Sequence, residues 1–357
     1  MSGVPDKTVA LLLQRMSQLQ GDWLVVADEN WHAANWPSIG TSAANSTVVI
    51  SNRFDIAVAA QQAGLNCTFN DFDFSSLQPQ SFDGLLYRVS KERATSHYMI
   101  NQASSLLKPE ATLLLGGEKN DGIKTYVKQA GGLFSDRTNA QKQGHCYLVA
   151  LQLNSIGPDL LNDKQYAQLR PLPIDCDLSL HSKPGIFGWD KIDRGSAFLV
   201  EHLPQFLASF QKPPRSMLDL GCGYGYLAHS AIEHGFERIV ATDNNAAALL
   251  AATENLKAIN GIQWDVIAAN AGDQVSEQFD TVLCNPPFHS GFAVDGDLST
   301  RFLKNTQRLL KSSGRALFVV NTFIPLEHKA KQYFNNIEVL ANNGSFKLVA
   351  LKSLINR

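Results

Sequence analysis

Short apolar runs alternate with helix-like stretches through the second half of this 357-residue chain, and that alternation narrows the possible folds more than any other feature. The runs cover 216–220, 238–243, 264–269, 280–284, 315–321, 337–341 and 346–351. Helical stretches are expected near 225–235, 246–258 and 299–311. Strands separated by amphipathic helices imply an α/β fold with a mostly parallel, doubly wound sheet. Asn342-Asn343-Gly344-Ser345 joins the last two runs and has the composition of a hairpin turn, so that pair is expected to be antiparallel.

The first half reads as a faded copy of the second. Phe82-Asp-Gly-Leu-Leu-Tyr87 parallels Phe279-Asp-Thr-Val-Leu-Cys284, Leu106-Leu-Lys108 parallels Leu309-Leu-Lys311, and 145–151 parallels 345–351. Chance likeness of strand-rich segments is the alternative. Three ordered matches at a nearly constant offset of about 200 residues favour duplication. The chemistry-bearing residues are not copied. Arg88-Val-Ser-Lys91 stands where the second half has Asn285-Pro286-Pro287-Phe288, and Ala27-Asp-Glu-Asn-Trp31 stands where it has a glycine loop. The expected organisation is therefore a non-catalytic domain over 1–152, a proline-bearing connector over 153–184 and a catalytic domain over 185–357.

Asn285-Pro286-Pro287-Phe288 follows an apolar run and is expected at the carboxyl end of its strand, where open α/β sheets bind ligands. Two prolines forbid regular structure directly afterwards. The Asn285 side chain and the Pro286 carbonyl then face a pocket as rigid acceptors, with the Phe288 ring as a stacking plate. That set suits a planar substrate bearing an exocyclic amine, such as a base unstacked from a nucleic acid. His289 reads as a loop histidine.

Asp219-Leu-Gly221-Cys-Gly223-Tyr-Gly225 follows the first run, and its glycines allow a sharp turn and close approach to a ligand. The dinucleotide fingerprint fails here because Tyr226 occupies its third glycine position. An acid before the loop would repel a pyrophosphate but suits an ammonium. S-adenosylmethionine carries that ammonium and no phosphate. Asp243 ends the next run, at a spacing suited to ribose hydroxyls, and Asn270 follows the third, placed for the adenine edge.

Composition supplies exclusions. Hydrophobic residues at 44% and charged residues at 18% describe a globular chain with ample core. The net charge of −2 gives no global footprint for nucleic acid, although a local patch can still steer a polyanion. Arg301, Lys304, Arg308 and Lys311 fall near one helical face, with Arg315 beyond, and a solvated face is the favoured reading. The five cysteines form no Cys-x-x-Cys pair, so neither a zinc site nor a disulfide framework is expected, and a reducing cytoplasm fits. Neither a signal peptide nor a membrane span is expected.

Taken together, these segments resemble the ribosomal RNA small-subunit methyltransferase C family. The resemblance runs through Lys183-Pro-Gly-Ile-Phe187, Asp193-Arg-Gly-Ser-Ala-Phe-Leu199, the glycine loop, Asn285-Pro-Pro-Phe-His289, Asn321-Thr-Phe-Ile-Pro325 and Phe346-Lys-Leu-Val349. It implies two tandem Rossmann-like class I methyltransferase folds, each a seven-stranded sheet with a C-terminal antiparallel hairpin. It implies methylation of a guanine N2 amine in 16S ribosomal RNA of the 30S subunit, by a cytoplasmic monomer without metal. It assigns cofactor contacts to Phe187, Asp193, Gly195, Asp219, Gly221, Gly223, Asp243, Asn270 and Asn285, and catalysis to Asn285, Pro286, Pro287 and Phe288. The alternatives are a guanine-N2 enzyme acting on 23S RNA, a protein glutamine-N5 methyltransferase, and a non-catalytic RNA-binding assembly module.

Overall fold

A computed structural model describes residues 5–39, 46–173, 179–257, 259–287 and 296–354. Phe288 and His289 lie outside the described residues, as does Cys176. The chain divides into two compact units, Met1–Gln168 and Leu169–Arg357.

The first unit carries strands β1 (Trp23–Ala27), β2 (Thr47–Ser51), β3 (Asn66–Phe69), β4 (Phe82–Arg88), β5 (Leu107–Glu118), β6 (Gln141–Gln143) and β7 (Cys146–Gln152). Its helices are α1 (Lys7–Met16), α2 (Phe54–Gln62), α3 (Arg93–Leu106) and α4 (Ile123–Phe134). The strands form one sheet in the order β3-β2-β1-β4-β5-β7-β6. The second unit opens with a two-stranded ladder, β8 (Arg170–Pro171) and β9 (His181–Ser182), then helix α5 (Arg194–Ala208). It continues with β10 (Ser216–Leu220), α6 (Tyr226–Ser230), β11 (Arg238–Asp243), α7 (Ala246–Lys257), β12 (Gln263–Ala268), β13 (Phe279–Cys284), α8 (Gly296–Leu309), β14 (Leu310–Asn321), α9 (Leu326–Ala330), β15 (Phe334–Asn342) and β16 (Phe346–Leu354). The sheet order β12-β11-β10-β13-β14-β16-β15 repeats that of the first unit strand for strand. In each sheet the first five strands pair in parallel, and the hairpin that ends the unit pairs antiparallel.

The repeated sequence pieces perform the same structural task twice. Lys311 Nζ donates to Asp280 Oδ1 at 3.0 Å, and Lys108 Nζ donates to Asp83 Oδ1 at 2.7 Å. The other oxygen of each aspartate takes backbone N–H groups at the root of the unit's central strand: Arg215 and Ser216 for Asp280, Asp22 for Asp83. Each unit also repeats a register shift. Phe279 pairs with Leu310 before Thr281 pairs with Arg315, just as Phe82 pairs with Leu107 before Gly84 pairs with Thr112.

That shift explains one departure from the sequence reading. The strand expected at 315–321 begins at Leu310, because Leu310 already pairs with Phe279 while the polar Lys311–Gly314 stretch lies in the irregularity. Lys311 is thus a strand residue rather than part of a basic helical face. The helix expected over 225–235 is also shorter. Ala231 N–H is shared between the Leu227 and Ala228 carbonyls, the ladder tightens into a 3₁₀ turn over Ile232–His234, and Gly235 at φ +80° ends it.

Both faces of the central strands of the second sheet are buried. Successive residues of a strand point to opposite faces, so Ala316, Phe318 and Val320 pack into one apolar layer, and Leu317 and Val319 into the other. Asp219 shares the face of Met217 and is completely buried, a charged residue flanked by the apolar Leu218 and Leu220.

Candidate active site

Four chemistry-bearing residues lie at or near the carboxyl ends of the adjacent parallel strands β12, β11, β10 and β13: Asn270, Asp243, Asp219 and Asn285. Parallel pairing aligns these ends along one edge of the sheet, so residues far apart in sequence share one crevice.

The turn after β10 is made by glycines. Gly221, Gly223 and Gly225 take φ of +81°, +54° and +83°, a region that side chains rarely enter. The N–H groups of Gly221 and Cys222 both bond to the Thr242 carbonyl, which ties the loop to β11. Gly223 N–H donates to Asp243 Oδ2 at 3.0 Å, and Asn245 N–H donates to Asp243 Oδ1 at 2.9 Å. These two N–H groups orient the carboxylate. A Cβ built on Gly223 would meet nothing within 4 Å, so the loop leaves open space at that point.

Asp219 Oδ2 accepts from Ala228 N–H at 2.9 Å, whereas its buried Oδ1 has no hydrogen-bond partner in the protein. Burial pushes its carboxyl up to about 7; the Ala228 bond opposes this and the Asp243 charge adds to it. A buried acceptor left unmatched is costly, by about 1–3 kcal/mol. A ligand ammonium at this edge satisfies that oxygen and favours its ionised form, so the residues present fit S-adenosylmethionine. The neighbouring thiols of Cys222 and Cys284 are buried and held well above their usual range, so both stay protonated.

Asn285 is half-buried just past β13, followed by buried Pro286 and exposed Pro287. Its Nδ2 donates to Asp193 Oδ2 and to Ser196 Oγ, each at 2.8 Å. Asp193 is the N-cap of α5, and the same Oδ2 accepts from Ser196 N–H at 2.8 Å. Gly195 fits beneath this arrangement. A Cβ there would come within 3.0 Å of Asp193 Oδ2 and 3.2 Å of the Phe346 ring. Phe187 is 64% exposed in the preceding segment.

Sequence reasoning missed three residues. Ser196 holds the Asn285 amide. Asn245 Nδ2 donates to the Gly185 carbonyl at 2.9 Å. Buried Asn255 fastens the chain before the site to the glycine loop through His181 N–H, the His181 carbonyl and the Tyr224 carbonyl. Ser196 and Asn255 are polar residues within helical stretches, whereas Asn245 precedes α7 and accepts from Ala247 N–H. Ser196 had a signal at the third position after an N-cap aspartate, and Asn245 one as an asparagine just before a helix. The expected basic face is largely engaged within the fold. Arg308 donates to the Val275 and Gly272 carbonyls, Lys311 to Asp280, and Arg315 lies over the Phe210 ring.

Among the described residues of the first unit, the places of Asn285 and of the glycine loop are filled. Arg88, at the place of Asn285, is buried and paired with Asp121 at 2.8 Å and Asp6 at 3.2 Å. The segment after β1 is filled by Trp31, which stacks on Trp36 with centroids 5.3 Å apart.

Comparison with known proteins adds sequence and structural relatives. The family described as "Methyltransferase small domain" matches residues 177–350, and "Methyltransferase small domain N-terminal" matches residues 10–164. The ribosomal RNA small subunit methyltransferase C of Shewanella loihica is 30% identical over 303 residues, which is 84% of either chain. That of Psychromonas ingrahamii is 29% identical over 272 residues, covering 75% of each. Among solved structures, the 16S rRNA N2 G1207 methyltransferase of T. thermophilus, in complex with AdoMet and guanosine, superposes with a TM-score of 0.84. The match covers 98% of this chain and 93% of that one at 22% identity, so it speaks to shared fold.

Proposed function

This chain belongs to the ribosomal RNA small subunit methyltransferase C family, and from that premise we propose that it methylates the exocyclic N2 amine of a guanine in 16S ribosomal RNA of the 30S subunit. The observation that carries this reading is the Asn285 amide. Both of its hydrogens are committed to Asp193 and Ser196, so its Oδ1 is left as an acceptor.

S-adenosylmethionine, when bound, supplies an electrophilic methyl group on a sulfonium. Asp219 Oδ1 takes its ammonium, Asp243 its ribose hydroxyls and Asn270 its adenine edge. The turns at Gly221 and Gly223 let the backbone come close to it, and Phe187, Asp193 and Gly195 border the same pocket. A guanine amine is a weak nucleophile because its lone pair is delocalised into the ring. Asn285 Oδ1 and the Pro286 carbonyl each accept one of its N–H bonds. They fix the nitrogen, favour a more tetrahedral geometry and stabilise the positive charge that develops as the methyl arrives in line. Pro287 keeps the turn rigid, and Phe288 stacks on the base. The proton leaves after transfer.

Unmodified 30S and 50S subunits incubated with labelled cofactor test the substrate. Label confined to 16S RNA supports the reading. Label in 23S RNA, in protein or in neither subunit rejects it.

A further inference from the structure

The amide of Asn285 is held at one end by two oxygens that come from the same helix terminus. Asp193 Oδ2 and Ser196 Oγ each lie 2.8 Å from Asn285 Nδ2. A carboxylate can only accept, so the amide cannot rotate by half a turn without placing its own Oδ1 against Asp193 Oδ2. Asp193 is held in turn, because the same Oδ2 caps α5 through Ser196 N–H at 2.8 Å. Gly195 leaves the carboxylate room, since a Cβ at 195 would lie only 3.0 Å from Asp193 Oδ2.

An unrestrained asparagine side chain presents either an acceptor or a donor. This one is limited to presenting an acceptor. We propose that Asp193 and Ser196 are positioning residues that lock the Asn285 amide, so that the site accepts an exocyclic amine and refuses an oxo group at the same place on the base. The proposal rests on the reading of Asn285 as an amine acceptor and adds to it a device for selecting amine over carbonyl. It also explains why position 285 carries asparagine rather than aspartate. A carboxylate there would face Asp193 Oδ2 at hydrogen-bond distance with no proton between them.

The test uses the full-length protein, unmodified 30S subunits as substrate and saturating S-adenosylmethionine, with cofactor binding by calorimetry as the measure of a folded site. Asp193→Ser keeps a good N-cap but is too short to reach Asn285. At saturating cofactor its kcat should fall by about 10²-fold, a loss that weaker cofactor binding at this pocket-edge residue does not produce. Asn285→Asp should fall by a similar factor. The double variant Asp193→Ser/Asn285→Asp keeps an N-cap residue, removes the facing carboxylate and leaves only acceptors at position 285, and should regain at least about tenfold over Asn285→Asp. Helix capping alone gives no reason for that rescue. Ser196→Ala leaves the cap intact and should lose a smaller factor in kcat. An Asp193→Ser enzyme with the parent's kcat, or a double variant no faster than Asn285→Asp, overturns the lock. Asn285→Ala, run alongside, separates the two claims. Full transfer by Asn285→Ala removes the acceptor reading itself, whereas loss in Asn285→Ala with none in Asp193→Ser removes only the lock.

Discussion

Asp219 is a carboxylate whose two oxygens differ: one is bonded to Ala228 N–H and the other is buried without a partner. Its ordinary value of 3.8 is pushed up to about 7, first by burial. The unfolded chain therefore releases this proton before the cofactor-free fold does. The stability it contributes is complete below pH 4 or so and is lost as pH rises through about 7. The thermal midpoint of the cofactor-free protein, relative to Asp219→Asn, should fall over that window. Affinity for S-adenosylmethionine should rise over the upper part of it, as the carboxylate forms, and Asp219→Asn should bind about 10–100-fold more weakly with a flat profile. Calorimetry across pH 5.5–8 or so checks both trends, and parallel curves for the two proteins would count against the assignment. At Asn285 the expectation is of another kind. Asn285→Ala should keep cofactor binding and lose about 10²–10³ in kcat, because the acceptor acts on the amine in the transition state. Both residues were legible in the sequence as polar interruptions at the ends of apolar runs. The bond from Asn285 to Asp193 was not, because nothing in a linear pattern joins an N-cap to a turn 92 residues later.

Among the elements, the strands were the most readable, since burial on both faces leaves near-continuous apolar runs. What could not be read was where a strand begins when its first pairing precedes a bulge, as at Leu310, or where a helix tightens into 3₁₀, as after Ser230. Both depend on hydrogen-bond geometry rather than residue type. The repeated Leu-Leu-Lys was visible as a pattern, but its purpose was visible only in three dimensions, as the lysine that anchors Asp280 or Asp83 beneath the central strand of its own sheet. Asp280 also accepts from Arg215 N–H, Ser216 N–H and Ser216 Oγ. Asp280→Ala strands those donors at the root of β10 and should destabilise the protein by about 1–2 kcal/mol, a figure reduced for partial solvent exposure. Urea unfolding measures this. A loss below about 0.5 kcal/mol would show that the pin is ornamental to the sheet.

The whole molecule carries the same strand order twice, and we propose that it carries the chemistry once. The duplication could be read from ordered sequence matches, and the absence of glycine from 27–31 is what motivates the proposal that the first copy does no chemistry. The way that copy is closed, by Arg88 between Asp6 and Asp121 and by Trp31 on Trp36, required the structure. The consequence is a stoichiometry. Calorimetric titration should give one S-adenosylmethionine per chain, abolished by substitutions at Asp219 and Asp243, and a second site that survives those substitutions would contradict the asymmetry. The central claim joins one site, one amine and one base, and nucleoside mass spectrometry tests it most directly. 16S RNA from unmodified 30S subunits, treated with the enzyme and isotopically labelled cofactor and then digested to nucleosides, should carry all of the label in N2-methylguanosine. Label in a ring-nitrogen, carbon or ribose methyl product, or in a nucleoside other than guanosine, would contradict it.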